Sequence, residues 1–214
     1  MTRSKNPDGR AAPPYQVAGT ADLLGFRLLG YTTCLSAALT SRGFGGFTGD
    51  CMSVEIREIR SGDAPSYRAA LDAVCRERRF LAGLAAPPPR ATQAFVNRNL
   101  ARGHPHFVAV DAGAVVGWCD AIPGDAGAAH VARMGMAVAK PYRGQGIGRR
   151  LMEAVIEKAT RKGLEKIELS VYSTNQAAVA LYESAGFVVE GRKLRGRLVD
   201  GTYDDILLMG LFLR

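Results

Sequence analysis

No stretch of the 214 residues approaches the roughly 18 unbroken apolar residues that a membrane-spanning helix needs. The nearest candidate, Ala21 to Leu39, is interrupted by Arg27, Gly25, Gly30 and the polar Thr32-Thr33 pair, and no positively charged lead runs into a clean apolar segment at the start. Neither a membrane partner nor export is expected, and a cytoplasmic protein follows. Cysteine is scarce: Cys34, Cys51, Cys75 and Cys119 form no CxxC pair and read as reduced thiols of a reducing compartment. His104-x-His106 places two imidazoles on alternate residues, but no third ligand follows at useful spacing. A solvated pair at a strand entry is expected, and no metal. Long basic runs are also missing. The net charge of +8 is spread among interleaved acids, without the aromatic and basic interleaving of single-strand nucleic-acid binders. No nucleic-acid partner is expected.

Residues 1–51 contain no glutamate and are rich in Gly, Ser, Thr and Ala, with no sustained helical or strand period. That composition predicts a disordered N-terminal extension. Met52-Ser-Val-Glu-Ile-Arg-Glu-Ile-Arg60 then alternates apolar and charged residues like a half-buried strand, and opens a single domain over residues 52–214.

Hydropathy patterning divides that domain further. Asp63 is a candidate N-cap for a helix reaching about Leu84, stopped by Pro87-Pro88-Pro89, and a second helix spans about Ala91 to Ala101. His106 to Asp111 and Ala114 to Ile122 read as a hairpin, and a third strand runs from about Ala129 to Val138. Ile147, Leu151, Val155 and Ala159 recur every four residues as one apolar stripe on a helix ending near Lys162-Gly163. Ile167, Leu169 and Val171 alternate as a strand. A short helix capped by Thr174 or Asn175 and ended by Gly186 precedes two closing strands, about Phe187 to Arg197 and Tyr203 to Phe212. The order βααβββαβαββ predicts an α/β (α+β) fold, a mixed central sheet of about seven strands flanked by about four helices.

The chemistry concentrates at Arg143-Gly144-Gln145-Gly146-Ile147-Gly148, between a strand and an amphipathic helix. Glycines there bring backbone N–H groups close to a ligand, and the helix N-terminus adds partial positive charge, so a pyrophosphate fits. A local excess of cations supports this. Lys140, Arg143, Arg149, Arg150, Lys158, Arg161, Lys162 and Lys166 face only Glu153, Glu157 and Glu165 over that stretch. A P-loop would need Gly-Lys-Ser/Thr where Gly148-Arg149-Arg150 stands, and a dinucleotide fold would carry its glycines after the first strand.

Gly135-Met-Ala-Val138, Arg143-x-x-Gly146-x-Gly148 and Asn175-x-x-Ala178-x-Ala180-Leu181-Tyr182-Glu183-x-x-Gly186-Phe187 resemble consecutive parts of the GNAT acetyltransferase pattern. The resemblance covers about residues 53–214. It implies acetyl-CoA as co-substrate, the backbone of Met136, Ala137 and Val138 pairing with the pantetheine arm, and the amides from Arg143 through Gly144, Gln145, Gly146, Ile147 and Gly148 to Arg149 holding the pyrophosphate. Asn175 would bond the pantetheine region. Tyr182 would protonate the departing thiolate, which a phenol of pKa about 10 can do at neutral pH.

For the general base two acids stay open, as does ordered water with no dedicated base. Ribosomal-protein alanine acetyltransferases, which this half resembles, often carry a Glu where Ser170 stands here; Glu168 lies one pleat back on the same strand face, and Asp120 is the other candidate. Acceptor choice in such enzymes rests on the first two helices and the closing hairpin. Gly186-Phe-x-x-Glu190-Gly191-x-x-x-Arg195 with Asp200-Gly-x-Tyr203-x-Asp205 resembles the branch acting on amino acids, small amines and phosphinothricin-like compounds, so the expected partner is a small-molecule amine. A protein N-terminal acceptor and a non-catalytic acyl-CoA-binding module are the rival readings. The apolar Ile206 to Phe212 stretch is compatible with a homodimer as well as with a buried strand.

Overall fold

The computed structural model describes residues 54–213; the extension expected over residues 1–51 and the domain start at Met52 lie outside the described residues. Seven strands form one sheet in the order β1-β2-β3-β4-β5-β7-β6, with four α-helices, in the chain order read from the sequence. The strands are β1 (Glu55–Glu58), β2 (His106–Asp111), β3 (Ala114–Pro123), β4 (Val131–Val138), β5 (Lys166–Tyr172), β6 (Val188–Val199) and β7 (Thr202–Phe212). Every neighbouring pair is antiparallel except β4 with β5. That parallel pair requires the crossover helix α3 (Ile147–Arg161) between its strands.

The two sheet faces carry separate cores. On one side α3 buries Ile147, Leu151, Met152, Val155 and Ala159 against Cys119, Ala121, Ala132, Met134, Ile167 and Leu169, with α4 (Gln176–Ser184) adding Val179 and Tyr182. The stripe read every four residues is the face so buried. On the other side α1 (Ala64–Arg76) and α2 (Pro89–Ala101) pack Tyr67, Val74 and Val96 against Val108, Val110, Val115 and Trp118.

Three local expectations are corrected. α1 ends at Arg76 rather than near Leu84, because Arg78 adopts φ 54°, a left-handed conformation that no helix continues through. The Arg78 guanidinium donates to Asp200 at 2.9 and 2.6 Å, and its carbonyl accepts from Arg197 at 2.6 Å, so the β6–β7 hairpin holds the chain in that turn. Asp63 does not cap α1 with its side chain. It accepts from the Arg57 guanidinium at 2.7 and 2.9 Å and from the Arg60 amide at 2.7 Å, which holds its carboxyl below the usual range. α2 begins inside the proline run, with Pro89 in its first turn, where a missing N–H costs nothing.

Candidate active site

β4 and β5 pair only over Val131–Arg133 against Lys166–Glu168, and then part. Beyond Arg133, β4 keeps β3 on one edge, Met134 to Val138 opposite Ala121 to Gly117, while its other edge has no strand partner. Peptide groups there must find hydrogen bonds elsewhere, from water or a bound chain. The parting opens a cleft of ≈ 510 Å³ through the sheet, lined by Met134 to Val138 of β4, Leu169 to Val171 of β5, Ile147 to Arg149, Asn175, Leu181 and Tyr182 on one side, and Val74, Phe80 and Leu81 on the other.

At the end of β4 the chain enters α3 through the glycine loop. Gly144 and Gly146 have φ 75° and 77°, the left-handed region that aims successive N–H groups one way. The first helical bond is Arg150 N–H to the Gly146 carbonyl at 3.2 Å; among the described residues the amides of Gly144 to Arg149 have no acceptor. That is an anion cradle at the positive end of a 15-residue helix. Tyr142 donates to Asp111 at 2.6 Å and braces the loop from behind.

The Arg143 side chain is directed elsewhere. Its Nε donates to the Val138 carbonyl at 2.8 Å, its fork engages Glu77 at the end of α1, and Phe80 stacks on it at 4.7 Å. This guanidinium holds Glu77 below the usual carboxylate range. Arg143 therefore lines the cleft as a strut tying the loop to α1. Gln145 is exposed and donates to the Pro141 carbonyl at 3.0 Å. Arg149 reaches Ser184 on α4 at 2.8 Å, across the cleft mouth.

Asn175 caps α4, its side-chain oxygen accepting from the Ala178 amide at 3.4 Å, and lines the cleft. Tyr182 follows two turns later, buried in a tilted contact with Phe187 at 5.7 Å. Burial, aided by the neighbouring Cys119, raises its hydroxyl above the ordinary phenol range, so it stays protonated.

Glu168 is not brought to the cleft. The parting of the strands begins just beyond it, and its carboxylate accepts from Lys166 at 3.0 Å, which also binds Glu190 at 2.8 Å. Glu168 shares its strand face with Ser170 but stands at the last paired position, short of the lining residues. Glu168→Gln is accordingly expected to leave the steady-state rate within about twofold of wild type, since it loosens only a half-exposed ion pair; kcat measured with saturating co-substrate checks this. Ser170, the next residue on that face, does line the cleft.

His106 is a further correction. It is buried at 2% exposure between the Tyr67 and Phe95 rings, its Nδ1 3.2 Å from the Asn99 amide nitrogen. Burial lowers its pKa to about 4, so it is a neutral core imidazole rather than a solvated one. Among the described residues no cluster of His, Cys, Asp and Glu comes together as a metal site. Cys75 and Cys119 are free and buried, while Cys34 and Cys51 lie outside the described residues. The Glu77–Arg143 tie, spanning 66 residues, carries no signal in the sequence.

Residues 71–187, more than half the chain, match the model of the Acetyltransferase (GNAT) family. The [Ribosomal protein bS18]-alanine N-acetyltransferase of Escherichia coli is 44% identical over 52 residues, 24% of this chain; the match spans only 35% of that relative. The L-methionine sulfoximine/L-methionine sulfone acetyltransferase of Pseudomonas aeruginosa is 28% identical over 165 residues, 75% of this chain and 95% of the relative. Among solved structures, an acetyltransferase of the GNAT family from Streptococcus pneumoniae superposes with TM-score 0.71 at 28% identity, covering 76% of this chain and all of the other.

Proposed function

The chain belongs to the GNAT acetyltransferase family, and from that premise we propose that it transfers the acetyl group of acetyl-CoA to the primary amine of a small molecule or amino acid, by direct attack in a ternary complex. The observation that carries the reading is the parted β4–β5 pair, whose unpaired strand edge leads directly into the anion cradle at α3. An extended amide-bearing arm with a pyrophosphate at its end is the ligand such a surface fits. In this reading the backbone of Met136 to Val138 pairs with pantetheine, the amides of Gly144 to Arg149 take the pyrophosphate, and Asn175 faces the arm. An N–H of Ala137 or Val138 stabilises the oxyanion of the tetrahedral intermediate, and Tyr182 gives a proton to the leaving sulfur. The catalytic domain is residues 52–214.

A small amine is preferred as acceptor because the likeness to the methionine sulfoximine enzyme runs over nearly all of that relative. The ion pair between Arg78 and Asp200 also ties the segment after α1, next to the Glu77–Arg143 pair of the cleft, to the closing hairpin, where a large acceptor would need room. The local 44% identity to the bS18-alanine enzyme supports a peptide N-terminus as the second reading. The purified chain incubated with acetyl-CoA and a panel of amino acids, methionine sulfone, polyamines and short peptides, followed by free-thiol release, decides between them. Acetyl-CoA binding without thiol release from any acceptor would favour a binding module, and no acetyl-CoA binding would overturn the proposal.

A further inference from the structure

We infer that Asp120 receives the acceptor's ammonium and takes its proton, across the space that the missing side chain of Gly135 leaves open on the α1 side of the sheet. This rests on the acetyl-transfer reading above.

Asp120 on β3 stands directly opposite Gly135 on β4 and His106 on β2. Directly paired residues project to the same sheet face, so the carboxylate lies beside the place where a side chain at position 135 would stand. A Cβ built at Gly135 would meet both Asp120 oxygens at 3.8 Å and no other atom within 4 Å. Gly135 itself lines the cleft, beyond the point where β4 and β5 part. Asp120 does not itself line the cleft; Gly135, which does, leaves the place of its missing side chain open between the carboxylate and the splay, where the thioester of the proposed co-substrate would lie.

Asp120 is otherwise isolated. It is 8% exposed, and among the described residues its side chain makes no hydrogen bond and no ion pair, while its oxygens are not among the fully buried atoms left without a partner. A largely buried carboxylate without a protein partner is unusual, and water or a ligand must serve it. The titratable groups beside it are Tyr67 on α1, His106 on β2 and the adjacent Cys119; from β4 Gly135 supplies none, and Arg133, one pleat along on the same face, is exposed. Burial raises Tyr67 and Cys119 and lowers His106, so these three are neutral near pH 7 and no paired cation holds Asp120 ionised. Desolvation alone lifts its pKa to about 7, where it exchanges a proton readily. On the same side of the cleft Val74, Phe80 and Leu81 are apolar and the Glu77 carboxylate is already paired with Arg143, whereas Asp120 has no cation paired to it among the described residues.

The step balances. The ammonium gives one proton to the Asp120 carboxylate and becomes a neutral amine, whose lone pair forms the N–C bond to the acetyl carbon. As the C–S bond breaks, the surplus N–H proton passes to the sulfur through the Tyr182 hydroxyl. Asp120 then returns its proton to solvent.

Asp120→Asn, which keeps size and loses charge, is the test, with L-methionine sulfone as acceptor probe and acetyl-CoA affinity measured alongside by calorimetry. The variant is expected to bind acetyl-CoA within about twofold of wild type while kcat/KM for the acceptor falls about 10²- to 10³-fold and the acid limb of the pH profile near neutrality disappears. Gly135→Val, which keeps the carboxylate but covers it, is expected to produce a comparable loss. Stability supplies an arm independent of the acceptor. A carboxyl raised in the folded state binds more protons there than in the unfolded chain, so stability declines as pH rises from the unfolded value near 4 through the folded one near 7. The wild-type melting temperature should therefore fall more between pH 5 and 8 than that of Asp120→Asn. Equal pH dependence of the two proteins, or a wild-type rate in the variant with acetyl-CoA bound, overturns the role of Asp120. Failure of the wild type to bind acetyl-CoA overturns the acetyl-transfer reading itself, and this inference with it.

Discussion

Tyr182→Phe is expected to lower kcat about 10²-fold while leaving the acetyl-CoA dissociation constant within about twofold of wild type. The substitution removes one hydroxyl from a side chain that is 8% exposed and keeps its ring packing against Phe187, so the α4 side of the core has no reason to move. A purely structural tyrosine would therefore yield an enzyme of normal rate. In the proposed reaction the hydroxyl meets the departing sulfur, and that contact matters only as the C–S bond breaks. Such an interaction appears in kcat and not in co-substrate binding. The raised pKa of Tyr182 sharpens the expectation: desolvation, with a smaller contribution from Cys119, keeps the proton on oxygen well above neutral pH. The loss should be the same at pH 6 and pH 9. A loss that grew or vanished across that range would assign the effect to another group, and an unchanged kcat would remove Tyr182 from the chemistry.

The backbone part of this site was legible in the sequence and much of the side-chain part was not. Period four in Ile147, Leu151, Val155 and Ala159, and period two in Ile167, Leu169 and Val171, are consequences of one-sided burial, so element type and order followed from them. The cradle was legible for a related reason: Gly144 and Gly146 mark backbone conformations that other residues adopt only with strain. Glu168 shows where such reasoning stops. Strand parity gives the face of a side chain, whereas the point at which β4 and β5 part decides whether that face meets the cleft, and parting is a property of two strands 28 residues or more from one another in the chain. The pairing of Asp120 with Gly135 is likewise a matter of register, and α1 stops at Arg76 because of Asp200 and Arg197, more than a hundred residues away. His106 misled differently. Its polarity suggested solvent, and the Tyr67, Phe95 and Asn99 side chains that enclose it come from helices whose packing has no local signature.

Gly146→Val is expected to weaken acetyl-CoA binding about 10²-fold, equivalent to losing two charge-assisted hydrogen bonds of roughly 1.5 kcal/mol each. Space is not the obstacle, for a Cβ at Gly146 meets no atom within 4 Å. The obstacle is φ 77°, which a β-branched residue reaches only with strain of about 1–2 kcal/mol or more. The loop relieves that strain by rotating the peptides on either side, and those peptides carry the amides that have no acceptor among the described residues. Gly113, with φ 80° and equally open space at the β2–β3 turn, separates strain from site. Gly113→Val should lower the melting temperature by a similar amount and leave the acetyl-CoA dissociation constant unchanged. Calorimetric titration of both variants checks the pair of expectations. Equal affinity in Gly146→Val and wild type would mean that the amides of this loop do not hold the pyrophosphate, and the ligand's charged end would have to be sought at Arg149 and Arg150 instead.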